Sequence, residues 1–249
     1  AGSLQIMPWH KDSLGQVLVT LQDSNFNDCM VDPRNVLAKI WEKFDDLNLS
    51  FKIAFELEFY LFKKRKNLYA KPEPAISKET NRQSEGNQVY GMRELDEFYY
   101  FLEEVNQNCK MQNIPATVAS SEYAPGQFEI NLNHVPDAIK ACDHAVLLKR
   151  IIRGVAQKHK MEVTFMAKPY IDGAGSGMHV HLSLLDKQGH NLFQGKDSTG
   201  SLELSHSIEG LRSTLSESML IYAPHANSYH RFQNDSYAPV YHQVLYYYP

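Results

Sequence analysis

Hydrophobic and polar residues alternate most regularly over residues 53–62, which read I-A-F-E-L-E-F-Y-L-F. The apolar members are Ile53, Phe55, Leu57, Phe59 and Leu61. Successive side chains on a β-strand point to opposite faces, so this segment is predicted to be a strand with one apolar face. The opposite face carries Glu56 and Glu58, and two carboxylates so close together repel each other and lose hydration when partly buried. A cation between them, or a proton on one, would relieve that cost.

A second alternating segment covers residues 127–133. Its apolar members are Phe128, Ile130 and Leu132. They alternate with Gln127, Glu129, Asn131 and Asn133, which gives the predicted strand a polar face beginning at Glu129. Glu122 precedes this strand across a Pro125-Gly126 turn.

A third alternating segment follows a loop that contains Gly173, Gly175 and Gly177, residues that allow close backbone approach or a positive φ. The polar face of the predicted strand carries His179, His181 and Ser183. The apolar face carries Met178, Val180, Leu182 and Leu184. Three strands therefore each present carboxylates or imidazoles opposite an apolar face.

Helical periodicity appears in four places between these strands. Helices are predicted to begin at the Asp32-Pro33 cap, at Asp96, and at Pro136-Asp137 with an end near Lys160, and a fourth is predicted over residues 205–222. The first helix is expected to bury its stripe of Val36, Leu37, Ile40, Trp41, Phe44 and Leu47. A short strand is predicted over residues 15–23.

Two segments have little apolar periodicity. Residues 63–90 are predicted to be a solvated loop, with an ordered flap as the alternative, and residues 227–239 a polar loop. Strands and long helices do not alternate regularly, so an α+β fold is favoured over a doubly wound sheet.

Composition and charge argue against a nucleic-acid or membrane partner. The 249 residues carry a net charge of -4, and no basic stripe indicates nucleic acid. No apolar run approaches the ~20 residues of a membrane span, so no membrane partner is expected. The cysteines Cys29, Cys109 and Cys142 are widely spaced, which favours reduced thiols and a cytoplasmic protein.

Each polar strand face is common by itself, and their joint occurrence is what favours a metal site. Four carboxylates with one or two imidazoles suit hard divalent ions such as Mg²⁺ or Mn²⁺. Paired ions of this kind serve phosphoryl transfer by neutralising developing charge. The chain has no G-x-x-x-x-G-K-[ST] motif, so a bound nucleotide would depend on metals and strand residues.

These motifs, in this order, resemble those of the glutamine synthetase family, and the resemblance covers nearly the whole chain. They are Glu56-x-Glu58, Glu122 with Gly126-Gln127-Phe128-Glu129, Gly175-Ser176-Gly177-Met178-His179-x-His181-x-Ser183, and Asn227-Ser228-Tyr229-x-Arg231. The resemblance implies an α+β catalytic domain in which antiparallel strands form a funnel with flanking helices. Residues 1–31 would be the remnant of an N-terminal β-grasp domain, and residues 32–249 a catalytic domain incomplete in its C-terminal part.

The resemblance also implies a reaction. The family joins an amine to the γ-carboxyl of glutamate through γ-glutamyl phosphate, with ATP as co-substrate and two or three Mg²⁺ or Mn²⁺ ions per site. It implies that Glu58, Glu122 and Glu129 hold one metal ion, while Glu56 and His179 hold the second. A ring-shaped homo-oligomer with sites between subunits is the expected assembly.

For the substrates, the resemblance implies that Gly175 and Arg231 bind glutamate, and that His181 and Ser183 lie near the nucleotide. Catalytic roles fall to Arg231 and Tyr237. After residues 237–239 the family continues into an arginine-rich stretch and a further metal-binding Glu, neither of which matches this chain.

Two substrate positions depart from the ammonia-using enzymes. Ala174 replaces an Asn, and Tyr237 replaces the Glu that lies six residues after the substrate-binding Arg. Both changes resemble the γ-glutamylpolyamine synthetase branch, so the favoured acceptor is an organic amine or polyamine. The alternatives are an ammonia-using glutamine synthetase and a non-catalytic structural relative, the latter disfavoured by the intact metal ligands.

Overall fold

The computed structural model describes residues 3–12, 14–67, 69–86, 89–197, 199–233 and 238. Its helices and strands follow one another in this order: β1 (Gln5–Ile6), β2 (Gly15–Gln16), α1 (Pro33–Asp46), β3 (Ser50–Lys63), α2 (Met92–Glu97), α3 (Tyr99–Met111), β4 (Ala116–Ser121), β5 (Gln127–Leu132), α4 (Ala138–Lys158), β6 (Met161–Thr164), β7 (Met178–Leu185), α5 (Leu202–Tyr222) and a 3₁₀ helix (Ala226–Arg231).

The long strand β3 is the centre of a five-stranded antiparallel sheet. One edge of β3 pairs with β5, and β4 lies beyond β5. The other edge pairs with β7 along Ser50–Leu57 and with β6 along Tyr60–Lys63. The mixture of helices and an antiparallel sheet confirms the predicted α+β class.

The apolar face of β3 lies against helices α3 and α4, as the alternation predicts. Leu57, Phe59 and Leu61 are buried there, and Phe59 packs against the rings of Phe101 and Phe128. The α4 side of this core comes from the helical stripe Leu148, Ile151, Ile152 and Val155. Burial of this face fixes which side of β3 presents the glutamates.

Side-chain caps start the helices largely where the sequence places them. The Asp32 carboxylate accepts a hydrogen bond from the Arg34 backbone N–H at α1, and Asp137 accepts one from Lys140 at α4. Helix α5 begins three residues earlier than predicted, because the Ser201 hydroxyl accepts from the Leu204 backbone N–H.

Several local predictions are wrong. Asp96 lies inside α2 and caps nothing, because α3 begins only after Phe98, whose buried side chain stands between the two helices. The predicted strand over residues 15–23 shortens to Gly15–Gln16. The polar loop predicted from residue 227 begins instead as the 3₁₀ helix.

Two apolar faces are more exposed than expected. On α1, Leu37 and Trp41 pack against the core while Val36, Ile40 and Leu47 are exposed. On β7, Met178, Val180 and Leu182 are exposed, and Leu184 is buried. Within the described residues no element covers these side chains, so amphipathic spacing overstates their burial.

Residues 63–90 are irregular beyond the end of β3, as predicted for a loop. Isolated bridges join Phe62 to Pro74 and Ile76 to Gln83, so the described part of the loop folds back on itself.

The core supports a first prediction. Replacing the fully buried Leu148 of α4 by Ala should lower the free energy of unfolding by about 2–5 kcal/mol, since it leaves a cavity under β3. Val146→Ala on the same helix is the control, because Val146 is 47% exposed and should change stability by about 0.5 kcal/mol or less. Urea titration of the full-length protein compares the two variants, and equal losses would contradict the assigned core.

Candidate functional site

The site begins with the register of the central sheet. Glu56 lies opposite Asn131 of β5 and opposite His179 of β7, while Glu58 lies opposite Glu129. Because the other face of β3 packs in the core, these polar side chains lie on the same side of the three strands. The structure thus brings together the carboxylates and imidazoles that the sequence predicts on separate segments.

The Glu56 carboxylate stands between two imidazoles. Its Oε2 atom lies 2.9 Å from His179 Nδ1, and its Oε1 atom lies 2.8 Å from His181 Nε2. Both histidines come from β7, where their spacing of two residues places them on the same face. His181, expected near a nucleotide, therefore also holds the Glu56 carboxylate in place.

Glu58 is held from the β5 side. The Gln127 side-chain amide donates to Glu58 Oε2 at 3.2 Å and to the Gly175 carbonyl at 2.9 Å. The Glu58 backbone N–H donates to the Gly177 carbonyl at 3.3 Å. Glu58 is thereby joined to the glycine-rich loop before β7.

Glu122 and Glu129 complete a region of concentrated negative charge. Burial, with repulsion from Glu58 and Glu129, raises the pKa of Glu122 to about 7. Burial and repulsion from Glu56 and Glu58 also raise the pKa of Glu129. Without a cation, protons are therefore held more tightly here than on exposed carboxyls.

Three of these groups are close enough to share one ion. Ligand atoms of Glu56, Glu129 and His179 all lie within 4.8 Å of one another. The resemblance assigns Glu129 to one metal ion and assigns Glu56 and His179 to the other. The division of ligands between two ions thus stays a prediction.

The surroundings also fit a bound cation. The Asn131 Oδ1 atom is buried and has no hydrogen-bond partner among the described residues, and Asn131 lies opposite Glu56 in the sheet register. A Cβ added at Gly177 would come within 2.9 Å of Glu58 Oε1, so a larger residue there would displace this carboxylate. Carboxylate, imidazole and amide oxygen are donors that Mg²⁺ and Mn²⁺ accept.

The glycine-rich loop packs directly on Arg231. Arg231 Nη1 donates to the Ser176 carbonyl at 3.0 Å. A Cβ at Gly175 would lie 2.7 Å from Arg231 Nε and 2.8 Å from the Ala167 carbonyl oxygen, so a larger residue would displace the loop. The predicted glutamate-binding residues Gly175 and Arg231 are thus neighbours beside the carboxylates.

The remaining predicted residues have different outcomes. Ser183 lies on β7 opposite Lys52 of β3, two residues beyond His181. Its role near the nucleotide stays a prediction. Tyr237, predicted to act at the acceptor, lies outside the described residues.

Sequence reasoning assigns no role to three residues around the cluster. Gln127 and Asn131 are on the polar face of β5, and that alternation was the available signal for both. Tyr90 ends the long loop, where its backbone N–H donates to the Ser121 carbonyl. The charge of Glu122, followed by burial, raises the pKa of the Tyr90 phenol, and no sequence signal placed it there.

Comparison with known proteins identifies the family of this chain. Residues 30–244 match the family model described as glutamine synthetase, catalytic domain. The chain belongs to the glutamine synthetase family. The resemblance inferred from the motifs is therefore confirmed.

Among curated relatives of this family, gamma-glutamylputrescine synthetase PuuA of Escherichia coli K12 is 38% identical over 238 residues, 96% of this chain and 50% of the relative. Glutamate–isopropylamine ligase of a Pseudomonas species is 33% identical over 95% of this chain and 51% of the relative. The chain thus spans about half the length of these relatives. They are consistent with the amine-ligase branch indicated by the sequence.

The glutamine synthetase fold is also found in solved structures. Apo GmaS without ligand has a TM-score of 0.81 and 25% identity, covering 93% of this chain and 52% of that one. Plasmodium falciparum glutamine synthetase has a TM-score of 0.78 at 21% identity, and the match covers 92% of this chain and 49% of that one. The second likeness concerns the fold alone.

A search of the described helices finds none with the length and apolar character needed to cross a membrane. The predicted division at residue 31 between a β-grasp remnant and the catalytic domain stays a prediction, although the family match begins at residue 30.

The raised pKa of Glu122 gives a pH prediction. With metals removed by EDTA, this group binds more protons in the folded state than in the unfolded chain between its ordinary pKa of 4.5 and about 7. Its contribution to the free energy of unfolding should therefore fall as pH rises through that window. Glu122→Gln should flatten the fall of Tm between pH 5 and 8, whereas Glu42→Gln, an exposed change on α1, should leave it steep. Parallel profiles for all three proteins would contradict the prediction.

Proposed function

We propose that the full-length protein is an ATP-dependent ligase that joins the γ-carboxyl of glutamate to the nitrogen of an organic amine. The observation that carries this proposal is the cluster of Glu56, Glu58, Glu122, Glu129 and His179 on one side of the sheet, in a chain of the glutamine synthetase family. A structural role would not require carboxylates whose charges repel, so the non-catalytic alternative stays disfavoured.

The chemistry has two steps. A γ-carboxylate oxygen of glutamate attacks the terminal phosphorus of ATP, and ADP leaves with formation of γ-glutamyl phosphate. The amine nitrogen then attacks the carbonyl carbon, inorganic phosphate leaves, and the nitrogen loses a proton. Two or three Mg²⁺ or Mn²⁺ ions would supply neutralisation of the phosphate charge.

The residues of the chain bind and orient the reactants. Glu56, which the histidines His179 and His181 hold at both oxygens, and Glu129 would bind an ion once the contact between Glu56 and His179 gives way to it. Arg231 carries a fixed positive charge beside Gly175 and would pair with a carboxylate of glutamate. His181 and Ser183 would face the nucleotide from β7.

The acceptor is proposed from two substitutions and from the relatives. Tyr237 has no charge at neutral pH, because its reference pKa is ~10, and it would attract ammonium less than a Glu. Its ring would instead lie along an alkyl chain and add roughly 0.5–1 kcal/mol of cation–π attraction. Three relatives support an organic amine by their names, which are gamma-glutamylputrescine synthetase, glutamate–isopropylamine ligase and gamma-glutamylethanolamide synthetase.

Ammonia is the second candidate acceptor. Glutamine synthetase of Pyrococcus abyssi is 32% identical over 84% of this chain and 45% of the relative, so ammonia-using enzymes are also similar. The residue at position 237 is the basis for choosing between the two acceptors.

We further propose that the protein is cytoplasmic and forms a ring-type homo-oligomer with sites between subunits. The exposed apolar side chains of Met178, Val180 and Leu182 support additional polypeptide packing on β7.

The acceptor proposal predicts a substrate order. With glutamate, ATP and Mg²⁺, ATP-dependent phosphate release should give a higher kcat/KM for putrescine or ethanolamine than for ammonium. Tyr237→Glu should shift the preference toward ammonium, and Tyr237→Phe should keep the organic amine preferred because the ring remains. A wide margin in favour of ammonium in the wild-type protein would make it an ordinary glutamine synthetase.

The metal site gives a further prediction. Mn²⁺ at 100 times its Kd should stabilise the full-length protein by about 2.7 kcal/mol, since the folded state alone assembles the ligands. Glu129→Ala should remove most of the resulting rise in Tm. Glu103→Ala, on α3 and away from the site, is the control and should keep the rise. An unchanged response in Glu129→Ala would refute the assignment of this carboxylate.

A further inference from the structure

The backbone that carries Glu122 is attached to neighbouring segments on both sides of this residue. On the N-terminal side, the Tyr90 backbone N–H donates to the Ser121 carbonyl at 2.9 Å. The Ser121 hydroxyl donates in turn to the Gly91 carbonyl at 3.1 Å. The residue before Glu122 is thus fixed to the segment that leads into helix α2.

On the C-terminal side of Glu122, a single carboxylate makes the attachment. Glu94 Oε1 accepts a hydrogen bond from the Gly126 backbone N–H at 2.9 Å, and the Ser84 hydroxyl donates to the same oxygen. Glu94 lies on α2, and Ser84 belongs to the long loop over residues 63–90. One half-buried side chain therefore joins the loop and the helix to the turn that follows Glu122.

This turn has little freedom to move independently of Glu122. Gly126 has a φ of +73°, and a Cβ there would lie 2.9 Å from the Leu61 carbonyl oxygen. The Leu61 backbone N–H donates to the Gly126 carbonyl at 2.8 Å. The Glu122 backbone N–H donates to the Gln127 carbonyl at 2.8 Å, which closes the turn. A displacement of Gly126 would therefore be passed on to Glu122.

Hydrogen bonding, rather than charge, connects Glu94 to Glu122. The charges that raise the pKa of Glu122, after burial, are those of Glu58 and Glu129. Burial likewise raises the pKa of Glu94, and the two hydrogen bonds that its carboxylate accepts oppose that rise. Such bonds to a partly buried carboxylate are stronger than bonds between neutral groups, so they suit Glu94 to hold a backbone segment in place.

We propose that Glu94 is a positioning residue whose Oε1 atom fixes the turn after Glu122 and so sets the place of the Glu122 carboxylate as a metal ligand. The inference rests on the proposed function only in requiring that a divalent ion bind at Glu122. Because Ser84 donates to the same oxygen, the long loop also bears on the position of this ligand.

Two substitutions separate the hydrogen bond from the charge. Glu94→Gln loses the charge but keeps an oxygen that can accept from both donors. Glu94→Asp keeps the charge, but its side chain is shorter by one methylene and falls short of Gly126. Mn²⁺ affinity should stay near the wild-type value in Glu94→Gln and fall by about 10-fold in Glu94→Asp, as expected when a partner outside the metal ligands is lost. Ser84→Ala removes one donor to this oxygen and should give a smaller loss.

The measurement is the Kd for Mn²⁺ in the full-length protein, from the electron paramagnetic resonance signal of free Mn²⁺ at a fixed neutral pH. Without metal, hydrogen–deuterium exchange in the peptide that contains Gly126 should be faster in Glu94→Asp than in the wild type or Glu94→Gln. Circular dichroism verifies that each variant is folded.

Glu97→Ala is the matched control. Glu97 lies on the same helix, is more buried than Glu94 and pairs with Arg93 at 3.0 Å. Its replacement should lower stability but leave the Mn²⁺ Kd and the exchange of the Gly126 peptide unchanged.

Unchanged Mn²⁺ affinity in Glu94→Asp would overturn the inference. Equal losses in Glu94→Gln and Glu94→Asp would do the same, because the charge would then be responsible. An equal loss in Glu97→Ala, or no Mn²⁺ binding by the wild-type protein, would also refute it. Should Glu94→Asp not fold, unchanged affinity in Ser84→Ala would overturn the inference in its place.

The ligase function is tested separately by glutamate-dependent phosphate release. Its absence alongside the expected Mn²⁺ affinities would refute the proposed function and leave the role of Glu94 intact.

Discussion

Repulsion among carboxylates on the polar face of β3 is the constraint around which this structure is arranged. Leu57, Phe59 and Leu61 anchor the other face in the core, so Glu56 and Glu58 cannot turn away from Glu129 without breaking the packing. The hydrophobic core thus fixes like charges close together. Burial, together with this repulsion, raises the pKa of Glu122 and Glu129, and the repulsion gives a divalent cation its electrostatic advantage.

The surrounding elements hold these charged side chains in place. His179 and His181 hold the two oxygens of Glu56, and Gln127 ties Glu58 to the Gly175 carbonyl. Ligands held in this way lose little conformational freedom when an ion binds, which favours tight and geometrically selective binding.

Much of this arrangement was predictable from sequence because β-strand parity is a strict rule. Alternation on β3, β5 and β7 assigned Glu56, Glu129 and His179 to polar faces, and the order of motifs indicated the family. The alternation of side chains does not show whether another element covers an apolar face, so it did not predict that Val180 is exposed. Alternation also gives no distances between segments that are far apart in sequence. The position of Tyr90 beside Glu122 depends on how a long loop folds back.

Short elements were missed for a different reason. Strand β6 has four residues, too few for a period of two to be recognised, and it forms because the far end of β3 offers unpaired backbone groups. Phe98 lies between two helices with its ring buried in the core. Helix propensity depends on local sequence and does not predict a break that is set by tertiary packing.

One edge of β3 pairs with two different strands, β7 and β6. The strands leave a gap at Glu58, where β3 donates to the carbonyl of Gly177 and the loop that contains Ala174 enters the site. Ala174 contributes no rung to the sheet ladder, so its replacement should leave the strand register unchanged, whereas a side chain at Gly175 or Gly177 would press on Arg231 or Glu58. Under the proposed function, a substitution at Ala174 can alter substrate preference while the strands that carry the carboxylates keep their positions.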